Sequence, residues 1–127
     1  MYPRKLLVFD LETIPDVALA RALWPEKAAL EDAALIDEIL AHFKERNGGR
    51  SDFPSPPFHR IVTIGCLLAD IEMADGHESY HFKKLGCIGK PEDDEAELVR
   101  QWFDFCAQQT QQGQPVRLVS FNGRGFD

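Results

Sequence analysis

A chain of 127 residues, 44% of them hydrophobic, has the length and apolar content of one domain with its own core. Its formal charge of −7 speaks against a general basic surface for gripping nucleic acid, but not against an enzyme that reaches phosphate through cations held by carboxylates. No run of about 18 uncharged apolar residues spans a membrane, no signal-peptide pattern opens the chain, and Cys66, Cys87 and Cys106 form no C-x-x-C pair, so the expectation is a cytoplasmic protein with free thiols.

The first predicted strand begins at Lys5 and runs through Leu6 to Phe9, an apolar stretch of the kind buried on both faces. It leads into Asp10-Leu11-Glu12-Thr13, where strand alternation puts Asp10 and Glu12 on one face. Two like charges at a strand rim repel each other and resist desolvation. Either a divalent cation makes them a site, since hard cations take oxygen ligands, or both face water. Ile14-Pro15-Asp16 breaks the pattern, and Asp16 is the expected N-cap of a short helix over 17–24, stopped by Pro25. A longer helix is predicted over 26–46, with Leu35, Ile36, Ile39, Leu40 and Phe43 on its apolar face. Asn47-Gly48-Gly49 stops it, and Pro54, Pro56 and Pro57 make 51–58 an extended loop.

The second strand is predicted over 60–69, a turn at Asp75-Gly76-His77, and the third strand over 78–84, together an antiparallel hairpin. Lys90-Pro91-Glu92-Asp93-Asp94-Glu95 opens a helix, because proline and acids both suit a helix start. Its expected buried stripe is Ala96, Val99, Trp102, Phe103 and Cys106. The fourth strand is 115–121, followed by Asn122-Gly123-Arg124-Gly125-Phe126-Asp127. With the helical insertion (about 16–50) set aside, the order is an antiparallel meander and then a right-handed helical crossover to a strand parallel to the first. The predicted class is therefore α/β: a mixed sheet with antiparallel strands 3-2-1, and strand 4 parallel to strand 1. That order brings Asn122 to Asp127 beside Asp10 and Glu12.

Asp10-Leu11-Glu12-Thr13, followed much later by Asn122-x-x-x-Phe126-Asp127, resembles the first two motifs of the 3′-to-5′ exonucleases with a ribonuclease H-like fold. The asparagine-to-aspartate spacing and the phenylalanine before the aspartate are most similar to the proofreading domain of family-B DNA polymerases. The strand entry Pro57-Phe58-His59-Arg60-Ile61-Val62 and the helical insertion resemble the predicted exonucleases related to that domain.

The resemblance implies a two-metal site for Mg²⁺ or Mn²⁺, in which Asp10 bridges both ions, Glu12 binds one and Asp127 holds the second. It implies that Leu11 and Thr13 meet the terminal nucleotide, that Asn122 contacts the substrate strand and that Phe126 flanks it. Each has a plainer reading: Thr13 as a strand-end hydroxyl bonded to its turn, Asn122 as a helix N-cap, Phe126 as core. The implied partner is the 3′ end of single-stranded DNA or RNA.

The family also has a third motif, a fifth strand and a last helix, which residues 1–127 do not supply. The expectation is thus a partial exonuclease domain, inactive alone, with an exposed edge of strand 4 open to self-association. Two other readings stand beside it. One is a catalytically inert fragment of the same fold that binds nucleic acid or a protein. The other is a haloacid dehalogenase-type phosphatase, which needs a second aspartate where Glu12 stands.

Overall fold

The computed structural model describes residues 2–110 and 113–121. The elements in order are β1 (Lys5–Pro15), α1 (Val17–Leu23), α2 (Asp32–Arg46), β2 (His59–Ala74), β3 (His77–Ile88), α3 (Glu95–Gln109) and β4 (Val116–Ser120). The chain divides into two compact units, one made of the residues up to Glu12 with those from Ile61 onward, the other of Thr13–Arg60.

The sheet has the order β3-β2-β1-β4. β1 and β4 are parallel, in a register that runs from Lys5 opposite Val116 to Phe9 opposite Ser120. β2 and β3 are antiparallel. The Ile71 amide donates to the Arg4 carbonyl, and Gly65 lies against the Asp10 carbonyl. Residue numbers therefore rise along β1 as they fall along β2, so this pair is antiparallel too. The predicted order and directions hold.

Both hairpin strands are longer than predicted. Asp75 (φ 51°) and Gly76 (φ 77°) form a two-residue turn with both centres in the left-handed region. His77 is paired with Ala74 and so belongs to β3, not to the turn. A bulge between Leu68 and Ala69 accommodates the extra Lys83.

α3 packs on the face of the sheet that carries Lys5, Leu7 and Phe9. The Phe9 and Trp102 ring centroids are 4.8 Å apart, Lys5 Nζ donates to Gln109 Oε1, and Leu7 is fully buried. α3 starts later than predicted. Asp94 is its N-cap, accepting from the Glu97 amide at 2.8 Å, while Asp93 accepts from the Lys90 amide and ties off the turn that holds Pro91. The buried stripe is also rotated from the predicted one. Leu98 is the buried residue, with Trp102, Phe105 and Cys106 half-buried, whereas Ala96 and Phe103 are exposed.

At the open end of the sheet Arg117 of β4 bonds Glu78 of β3 at 2.7 and 2.9 Å, although β1 and β2 lie between them in the strand order. The Arg117 guanidinium, with help from the Tyr80 hydroxyl, pulls the Glu78 carboxyl down to about 2 from an ordinary 4.5. A depressed carboxyl adds stability above its unfolded value and loses it as pH falls through the folded one. Stability should therefore decline from about pH 4.5 towards about pH 2, with Glu78→Gln showing a shallower decline in that window. Stabilities from urea titrations that fall equally with pH in the two proteins would show that the pair contributes nothing.

In the second unit Ala20, Leu35, Ile39 and Phe43 form the core, flanked by Val17, Trp24 and Phe58. Asp16 caps α1 as predicted, accepting from the Leu19 amide. α2, however, begins at Asp32 and not near 26. Arg21 explains the delay: it donates to the Ala28 and Leu30 carbonyls and pairs with the Asp32 carboxylate, holding 28–31 as a turn. Gly48 (φ 62°) and Gly49 (φ 77°) end α2 in the left-handed region, as the Asn-Gly-Gly signal predicts.

Candidate functional site

β1 does not stop at the two carboxylates but continues to Pro15. What stops there is the ladder with β4, whose last pair among the described residues is Phe9 with Ser120. Asp10 is thus the first β1 residue beyond that ladder. Because Phe9 faces α3, alternation turns Asp10 and Glu12 to the opposite face of the sheet. Both are exposed.

Neither carboxylate has an ion-pair partner among the described residues, in contrast with Asp70, Glu72, Glu78 and Glu97, each held by a basic side chain. One oxygen of Asp10 accepts from the Leu11 amide at 3.1 Å. That leaves an oxygen-only donor set with lone pairs to spare, the chemistry that magnesium and manganese prefer. It supplies two ligand residues; among the described residues no group of three or more histidine, cysteine, aspartate or glutamate side chains is arranged to hold a metal ion. Asn122, Phe126 and Asp127 lie outside the described residues. Phe121, the last described residue, is 88% exposed and directly follows the strand that runs beside β1.

Thr13 belongs to the second unit, where its hydroxyl lies 2.9 Å from His59 Nδ1. The other ring nitrogen, Nε2, lies 2.9 Å from the Pro54 carbonyl. A carbonyl can only accept, so the neutral ring carries its proton on Nε2 and the Thr13 hydroxyl donates to Nδ1. The Thr13 oxygen keeps its lone pairs for a donor. Sequence reasoning left His59 without a partner; the signal was the Phe-His pair after Pro54, Pro56 and Pro57, but the threonine is 46 positions away.

Among the described residues the remaining reactive groups do not assemble a rival centre. The three cysteines are free; Cys66 and Cys106 are half-buried and Cys87 is exposed. Burial pushes the Cys66 and Cys106 thiols up, which suppresses the nucleophilic thiolate. His81 is paired with Glu72, and His42 packs between the rings of Trp24 and Phe43. No helix among the described residues is long and apolar enough to cross a membrane.

No curated protein and no solved structure matches the chain. Residues 51–127 match the family described as predicted 3′-5′ exonucleases related to the exonuclease domain of PolB. The match begins after β1, so it takes in β2, β3, α3 and β4 and leaves out Asp10 and Glu12. It runs against the phosphatase reading. A match over more than half of its length shows that the chain belongs to this family of predicted exonucleases.

Proposed function

We propose that the chain carries a metal-dependent 3′-to-5′ exonuclease site on a ribonuclease H-like sheet, with the helical segment of about 16–50 as an insertion. The observation that carries this reading is the exposed pair Asp10 and Glu12, without basic partners, placed where the parallel β4 ladder ends. A phosphodiester approaching two bare carboxylates on a chain of charge −7 is repelled. Cations held by those carboxylates reverse the local sign.

Asp10, Glu12 and Asp127 are the residues to hold Mg²⁺ or Mn²⁺. Two such ions, when bound, clamp the attacking and leaving oxygens of an in-line displacement. The chain's own residues position the substrate. Thr13, whose proton is committed to His59, offers its oxygen as an acceptor for the terminal 3′-hydroxyl. Leu11 meets the last nucleotide through its backbone, Phe126 gives it apolar surface, and Asn122 gives an amide to the strand. The substrate is the 3′ end of single-stranded DNA or RNA.

The test is release of nucleotides from 5′-labelled single strands with manganese present, comparing the full-length gene product with its Asp10→Ala variant. A ladder shortening from the 3′ end, lost in the variant, is the expected result. Hydrolysis that survives the substitution would move the catalytic centre away from Asp10, and no hydrolysis by either protein would return the fold to the second reading, a binding module without catalysis.

β4 stands at one end of the sheet order, with Leu118 and Val119 exposed. Strand edges of this kind pair with copies of themselves, and we extend the proposal to association through β4. Sedimentation velocity should show a dimer that Val119→Lys disperses; a monomer at every concentration would remove it.

A further inference from the structure

Resting on the exonuclease reading for its ligand class, we infer that the cleft at the C-terminal end of α2 is a second binding site for single-stranded nucleic acid. It is built by residues other than the carboxylate pair: Arg46 and Arg50 take phosphates, and Phe53 stacks on a base.

Two adjoining hollows of about 390 and 720 Å³ share Arg46, Asn47 and Phe53 in their walls. Both volumes lie in the ~300–1,000 Å³ range of ligand clefts. The first adds His42, Ser55 and Phe58, the second Arg50 and Ser51, and neither wall includes a carboxylate. Arg46 and Arg50 are exposed, and among the described residues their guanidinium groups take part in no ion pair, whereas Arg21, Arg100 and Arg117 each hold a carboxylate. Arg46 in the last turn of α2 also suits the helix dipole. The dipole does not account for Arg50, beyond the two glycines, nor for Phe53, which is 56% exposed with its ring 4.7 Å from that of His59.

Between the arginines the backbone turns at Gly48 and Gly49, where an added Cβ would meet nothing within 4 Å, so a strand can approach closely. Unneutralised cations beside an exposed aromatic ring are what a sugar-phosphate backbone with unstacked bases requires. On a chain of charge −7 such a spot is where a polyanion settles. An acidic peptide would use the arginines and gain nothing from the exposed face of Phe53.

The experiment is fluorescence anisotropy of labelled oligothymidylate and oligouridylate of equal length. It is run in EDTA so that no hydrolysis occurs, with circular dichroism melts confirming that each variant folds. In the double variant Arg46→Gln/Arg50→Gln the salt dependence should flatten by roughly 1.4 in log–log slope, at about 0.7 per phosphate of a single strand. Phe53→Ala should weaken binding roughly tenfold or more, as loss of a stacked base does. The arm that binds more tightly identifies DNA or RNA as the natural strand. Unchanged affinity and slope in the double variant overturn the inference, as does tighter binding of polyglutamate or of a blunt duplex. The two readings fail separately. Cleft binding without Asp10-dependent cleavage defeats the exonuclease alone, and Asp10-dependent cleavage with normal binding by the cleft variants defeats the cleft alone.

Discussion

Asp10→Ala is expected to abolish 3′-end hydrolysis while leaving the fold intact. Asp10 is exposed and the only hydrogen bond of its carboxylate among the described residues is accepted from the neighbouring Leu11 amide, so its removal costs little packing. Catalytically the loss should be large. Replacing a partner one shell out from a metal typically lowers affinity or activity ~10–100-fold, and a direct ligand should exceed that. Asp10→Asn keeps the shape and removes the charge. Calorimetric titration with manganese should then show binding in the parent chain and none in this variant. Asp70→Ala, which removes an acid already paired with Lys83 at 3.0 Å, should leave both readouts unchanged. Equal manganese binding in Asp10→Asn would move the metal site to other residues.

The sheet was legible because its signals are local and agree. The apolar run from Leu6 to Phe9, the Asp75-Gly76 turn and one helix between strands 3 and 4 leave few topologies that obey the handedness rule. What failed were boundaries and phases set by distant partners. Arg21 delays α2 by reaching forward to the Ala28 and Leu30 carbonyls and the Asp32 carboxylate, a side-chain tie that apolar periodicity does not encode. The α3 stripe expected from helical spacing, Ala96, Val99, Trp102, Phe103 and Cys106, is rotated from the observed one: Phe103 is 65% exposed while Leu98 is buried, because packing against the sheet chooses the face. In the candidate site, alternation alone gave the shared face of Asp10 and Glu12. The commitment of the Thr13 hydroxyl to His59 required the fold to bring two segments together.

Gly89→Ala is the substitution expected to destabilise the first unit most, and Leu98 is the reason. Gly89 joins β3 to the turn before α3 with φ 80°, a conformation that L side chains rarely adopt. A Cβ there would collide with Leu98 Cδ2 and stand 3.0 Å from Asp93 Oδ2. Leu98 is 2% exposed and cannot swing away without opening the core. Asp93 is bound to the Lys90 amide and to Gln101 Nε2, so it cannot yield freely either. Backbone strain of about 1 kcal/mol and overpacking of ~1–3 kcal/mol together predict a loss of about 2–4 kcal/mol. For a domain of this length that is a fall in Tm of roughly 10 °C. Gly48→Ala separates the two terms, since Gly48 also has positive φ but nothing within 4 Å of an added Cβ. It should lose only the backbone part, about 1 kcal/mol. Calorimetric melts of the two variants side by side decide the matter. If Gly89→Ala costs no more than Gly48→Ala, Leu98 has room to move and α3 is not locked against the turn. If it costs several times more, the contact between Gly89 and Leu98 fixes α3 on the face of the sheet behind Asp10.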